Sequence, residues 1–194
     1  GTLRVGGAIT VGTGGGTWTP GAGTVELTAN NTLPATILTT FNNLTINGGT
    51  TTMGVALAIN GDLTISSGAF ATANLGLTLN GDFSNSGTFT AGSSAITITG
   101  TAPQSIAGFT TTGLVSMTKA SGTATFTGNV NGGGLTLNGA AGTLNLGTGL
   151  THTFTGTWTR TAGTLDGGSS TLKLGNTTAF SGTAGTFTAS TGTV

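Results

Sequence analysis

The chain has 194 residues, with four Lys or Arg, four Asp or Glu and a formal net charge of zero. A charged fraction of 4%, against about 25% in ordinary globular chains, excludes an electrostatic footprint for nucleic acid, an anionic membrane or a highly charged substrate. The absence of cysteine excludes a disulfide framework and any thiolate metal site.

Glycine contributes 38 residues and threonine 48. Such a composition with low charge suits disorder, but the aliphatic residues here alternate with Thr, Ser and Asn. In chain order, "LTI" (44–46), "LAI" (57–59), "LTI" (63–65), "LTL" (77–79), "ITI" (96–98), "LTL" (135–137) and "LKL" (172–174) each place two aliphatics on one face. This period of two predicts half-buried strands, and β-branched Thr suits their exposed side. "NGG", "NGD", "SSG", "NSG" and "GGSS" supply the turns between them. No segment has a helical period, and no apolar run approaches the ~18 residues of a membrane span.

Two spacings recur. Val25, Leu44, Leu63 and Phe83 follow one another at 19, 19 and 20 residues, and Leu57 precedes Leu77 by 20. Short strands cannot bury themselves singly, but stacked coils of this length join their aliphatics into one core. The spacing therefore predicts an all-β parallel β-solenoid (β-helix) of irregular coils, each about 19–25 residues. Roughly ten coils at about 4.8 Å each make a rod about 45 Å long. Like-on-like stacking of Asn and Thr is expected to satisfy turn polar groups. Repeated β-sandwiches are the competing architecture, since they also use regularly spaced strands.

The longer spacing is about 70 residues. "GTWTPG" (16–21), "GTFTAG" (87–92) and "GTWTRTAG" (156–163) align Trp18 with Phe89 and Trp158, and Leu44 falls over Val115 at an offset of 71. The expected organisation is one repetitive segment, 1–194, with a partial repeat at 1–40, a repeat at 41–111 and a truncated repeat at 112–194. Ends out of phase with the repeat, and a first residue that is not Met, predict a window on a longer array.

No residues are nominated for catalysis, cofactor binding or metal ligation. Asp62 and Asp82 both follow "NG". Brought together they could serve glycoside hydrolysis or hold Ca²⁺, but "NGD" is better read as turn chemistry, with Asp bonding local backbone. His152 is the single histidine, without the partners of a metal site or a triad, and is expected on the Thr-bearing face of its strand. The "GGG" runs at 14–16 and 132–134 lack the Lys-Ser/Thr of a phosphate loop. Trp18, Phe89 and Trp158, each flanked by Thr, are expected to plug the core.

Thr-x-Thr triplets at 17–19, 88–90, 97–99, 125–127, within 151–159 and at 186–188 raise the question of an ice plane. Such a plane needs one triplet per coil on one face, and the triplets are unevenly spaced.

"FNNLTIN", "LAINGDLTISSG" and "LTLNGDFSNSGTFTAGSSAITITGTAPQSIAG" (within 41–108) resemble the repeat arrays of large secreted bacterial surface proteins, of the adhesin or filamentous-haemagglutinin-like β-solenoid type. The resemblance implies an exported, non-enzymatic segment of a surface fibre, filament or adhesin stalk. It also implies no cofactor and an extracellular or cell-surface location. Near-absence of charge and open solenoid ends predict self-association into a fibre or longer array. A glycan- or ice-binding module using the Thr-rich face is the alternative reading.

Overall fold

The computed structural model describes residues 1–175 and the strand Thr186–Thr188. Among the described residues there is no helix, and every strand pairing is parallel. Parallel pairing between neighbouring coils is the signature of a β-solenoid, here of about nine turns. A β-sandwich, built from antiparallel strands, is excluded.

The coils contribute strands to three columns, apart from the first coil, whose one strand is Thr2–Val5. The first column stacks Leu3, Val25, Leu44, Leu63 and Phe83 in register, the last four being the sequence-predicted series. It continues through Ile106 and Phe126, then from Ala124 to Leu144, Leu165 and Phe187. The coil-to-coil step along this column ranges from 19 to 23 residues, within the expected range. The second column runs through Asn31–Thr32, the C-terminal parts of Asn43–Thr52 and Leu63–Ala71, and Thr88–Thr90. A four-stranded sheet of Phe109–Thr110, Val130–Gly132, Thr151–Phe154 and Thr171–Leu174 carries it on. The rings of Phe89 and Phe109 meet across the junction, 6.2 Å apart. The third column stacks Leu57, Leu77, Ile96, Val115, Leu135 and Trp158.

Inward positions alternate with outward ones, as strand geometry requires. Leu44, Ile46, Leu63, Ile65, Ile96, Ile98, Val115, Met117, Leu135 and Leu137 are all 0% exposed. They form one continuous apolar core along the rod axis. The long strands turn a corner without breaking. Asn43–Thr52 and Leu63–Ala71 bend at Gly48–Gly49 and Gly68, where register shifts interrupt their pairing. Gly68 has a φ of 76° and its missing Cβ would strike the Gly49 carbonyl oxygen. Only glycine combines that backbone conformation with so close an approach.

The 71-residue match is out of phase with the coils. From Leu44, three coil steps reach Ile106 and four reach Phe126, whereas 71 residues reach Val115 in the third column. Residues aligned by that offset therefore face different sides of the rod. Phe89 pairs with Phe70 in the second column, while Trp158 pairs with Leu135 in the third. Trp18 lies beside Phe41, whose strand also belongs to the third column, with ring centres 5.7 Å apart. All three aromatics pack against the core as expected: Trp158 is buried, and Trp18 and Phe89 are partly buried.

Candidate functional site

The two aspartates do come close, in neighbouring coils, but as rungs of a ladder. Asn43 Oδ1 accepts the Asp62 backbone N–H at 2.8 Å, Asp62 Oδ1 accepts that of Asp82 at 2.9 Å, and Asp82 Oδ1 accepts that of Ser105 at 2.8 Å. The turn reading holds with one correction: each carboxylate bonds the next coil, not its own turn. The reason is the stacking itself, which brings the next coil's N–H into reach. The same device recurs with Asn30, Asn74, Asn129 and Asn131, whose side-chain oxygens accept N–H groups of a neighbouring coil at 2.8–2.9 Å. Polar stacking at the turns is thus mainly side chain to backbone, more than the like-on-like pairing expected from sequence. No group of three or more His, Cys, Asp or Glu side chains able to hold a metal occurs among the described residues.

His152 is 0% exposed, which corrects its expected place on the Thr-bearing face. Its neighbours Thr151 and Thr153 take the outward positions, so His152 and Phe154 point inward. Nδ1 accepts the Val130 N–H at 3.0 Å, which places the proton on Nε2, 2.8 Å from the Leu146 carbonyl oxygen. Burial lowers the pKa of the ring. A neutral imidazole with both nitrogens engaged is a structural brace.

Lys119, which drew no attention in the sequence, is also 0% exposed. It continues the inward series Val115, Met117, Lys119. Its Nζ donates to the Ala102 carbonyl at 2.7 Å, to Gln104 Oε1 at 2.6 Å and to the Thr99 carbonyl at 3.3 Å. The cation ties the turn at 99–104 to the coil that follows it. Burial lowers its pKa. Glu26 is 7% exposed and accepts from Asn47 at 2.7 Å and from Arg4 at 2.8 Å. These two bonds hold its carboxyl below the usual range. Buried Thr72 bonds Ser94 at 2.6 Å, and Thr111 bonds the Ser94 carbonyl at 2.6 Å, so hydroxyls too link coil to coil. Among the described residues, Thr51 Oγ1 is the single buried side-chain polar atom with no partner.

The Thr-x-Thr triplets scatter over all three columns: 88–90 lies in the second, 97–99 in the third and 125–127 in the first. The outer side of the third column nevertheless carries a regular array that a literal triplet search misses. Ala58, Thr78, Thr97, Ser116 and Thr136 stack in strict register. Two residues on in each coil come Asn60, Asn80, Thr99, Thr118 and Asn138. Their backbones continue the same ladder, as in Asn80 N to Ile59 O and Thr118 N to Ile98 O. The pattern is therefore Thr/Ser/Ala-x-Asn/Thr, one per coil.

No protein-family model, curated protein or solved structure matches the chain. The fold defines the class as a β-solenoid.

Proposed function

We propose that this chain is a non-enzymatic structural element, a rod segment of an extracellular surface fibre, filament or adhesin stalk. The observation that carries this reading is where the buried and turn polar groups are used. Asn43, Asp62, Asp82, Lys119 and His152 all bond from one coil to another, which strengthens the rod along its axis. None converges on a cleft with a neighbour suited to acid–base or nucleophilic chemistry. Near-absence of charge lets rods pack side by side without repulsion, and further copies are the natural partners.

Single-molecule pulling on the two ends tests the mechanical role. Each coil holds 19 to 23 residues, and its release adds roughly 70 Å of contour at about 3.4 Å per residue. The expected record shows discrete force peaks separated by one or a few such increments. Smooth extension without peaks would remove the mechanical role. Sedimentation across a wide concentration range tests self-association, and a monomer at every concentration counts against it.

A further inference from the structure

Asparagine followed by glycine is the pair in which a side-chain amide is most open to attack by the main chain. Glycine carries no Cβ to hinder ring closure and leaves the backbone free to bend. The chain has Asn–Gly pairs at 47–48, 60–61, 80–81, 131–132 and 138–139. The reaction joins Asn Cγ to the glycine nitrogen, so it needs both the amide and that N–H to be unengaged. Stacking of the coils ties up four of the five pairs. Asn47 donates to Glu26 Oε1 at 2.7 Å and accepts from Ser67 Oγ at 3.2 Å. Asn131 Oδ1 accepts the Thr153 N–H at 2.9 Å, and Asn138 Oδ1 accepts from Thr161 Oγ1 at 2.6 Å. At 60–61 the Gly61 N–H donates to the Asn42 carbonyl at 2.8 Å. The pair at 80–81 differs: the Asn80 amide and the Gly81 N–H have no hydrogen-bond partner among the described residues. Asn80 is half-buried, so solvent reaches it.

We propose that Asn80 is a self-modification site, at which the chain converts its own amide to an isoaspartyl or aspartyl residue. The Gly81 nitrogen loses its proton to solvent and attacks Asn80 Cγ. The Cγ–Nδ2 bond breaks, and the amide nitrogen leaves as ammonia with a proton taken from solvent, closing a succinimide. Water then opens the ring at either carbonyl. Opening at the side-chain carbonyl leaves aspartate. Opening at the main-chain carbonyl leaves the peptide running through the side chain, an isoaspartyl link one carbon longer. The site lies at the foot of the buried Lys119 clamp. The Gly81 carbonyl accepts from Gln104 Nε2 at 2.7 Å, and Gln104 Oε1 accepts from Lys119 Nζ at 2.6 Å. The longer link displaces that carbonyl and takes from the clamp its hold on the preceding coil. Either product also adds a negative charge to a turn that already carries Asp82. The rod thus ages at one defined place, whatever assembly it belongs to.

The test is incubation of the folded chain in mildly alkaline buffer, followed by peptide mapping with fragmentation that separates isoaspartate from aspartate. A parallel incubation in denaturant supplies the intrinsic reactivity of each pair. In the denatured chain all five pairs are expected to convert at similar rates. In the folded chain Asn80 should convert first, ahead of the others by about fivefold for each hydrogen bond that must break before their rings close. Asn80→Gln, whose longer side chain closes the ring far more slowly, should remove the isoaspartate signal at that position. After the same incubation it should also melt above the aged parent, whose clamp has loosened. If the variant does not fold, the ranking of sites in the parent decides alone. Equal conversion at all the pairs of the folded chain overturns the proposal, as does conversion led by another pair. So does an Asn80 that stays intact in the folded chain while the denatured chain converts. Aged parent and aged Asn80→Gln melting alike would overturn the link to the clamp.

Discussion

His152→Leu offers the sharpest test of how the interior is wired. The ring is 0% exposed, and Nδ1 accepts from Val130 N–H at 3.0 Å. Leucine fills similar space but leaves that N–H without a partner in the interior. The Leu146 carbonyl keeps a second donor, the Ser170 hydroxyl at 2.9 Å, so one orphaned group remains, costing about 1–3 kcal/mol. At pH 8 the variant should therefore unfold at lower denaturant, by a stability loss of about 2 kcal/mol. The pH dependence carries more information. Burial lowers the folded-state pKa of His152 below its ordinary 6.5, so the unfolded chain takes up a proton first. The contribution of the neutral ring is complete above about pH 6.5 and is lost as pH falls below it, until the folded-state pKa is reached. Each unit of lowering corresponds to about 1.4 kcal/mol. Because His152 is the single histidine and carboxylates titrate near pH 4, a denaturation series between pH 7.5 and 5 isolates it. The parent should lose stability across that window and His152→Leu should not. A parent whose stability is flat there, or a variant that keeps the slope, would refute the buried neutral brace.

Three further substitutions probe other levels of the structure. Asp82→Ala removes the acceptor of the Ser105 N–H and should cost about 1 kcal/mol in chemical denaturation, whereas Asp82→Asn keeps an oxygen there and should be nearly neutral; equal losses would contradict the ladder. Phe126→Ala, at a core position 1% exposed, should cost about 3–5 kcal/mol, while its outward neighbour Thr125→Ala should stay within about 0.5 kcal/mol, both read from urea midpoints. Gly68→Ala meets both a φ of 76° and the Gly49 carbonyl, so it should lower the melting temperature well beyond the effect of Ala at the exposed position Ser66.

The coil was legible because its signal is local and repeated. Leu44, Leu63 and Phe83 sit 19 and 20 residues apart, and the structure stacks them in that register. The strand parity that buries "LTI" and "LTL" also buries His152 between Thr151 and Thr153, and Lys119 two places beyond Met117. Both positions follow from alternation; for His152 the Thr-bearing face was expected instead, and Lys119 carried no expectation. The 71-residue echo was real as sequence and misleading as geometry, since it ends in another column. The array on the third column was hidden for a related reason. Position on a solenoid face follows the register, and Asn80 and Asn138 stand in rank with Thr99 without sharing its letter. Coil-to-coil bonding of Asp62 and Asp82 lay beyond the sequence altogether, because the partner of a turn side chain depends on how closely the next turn is stacked.

Immunogold electron microscopy on cells that produce the chain tests the central claim most directly. An extracellular structural rod predicts gold on filaments or stalks projecting from the surface, visible without permeabilising the cells. Label confined to the cell interior, appearing only after permeabilisation, would contradict it.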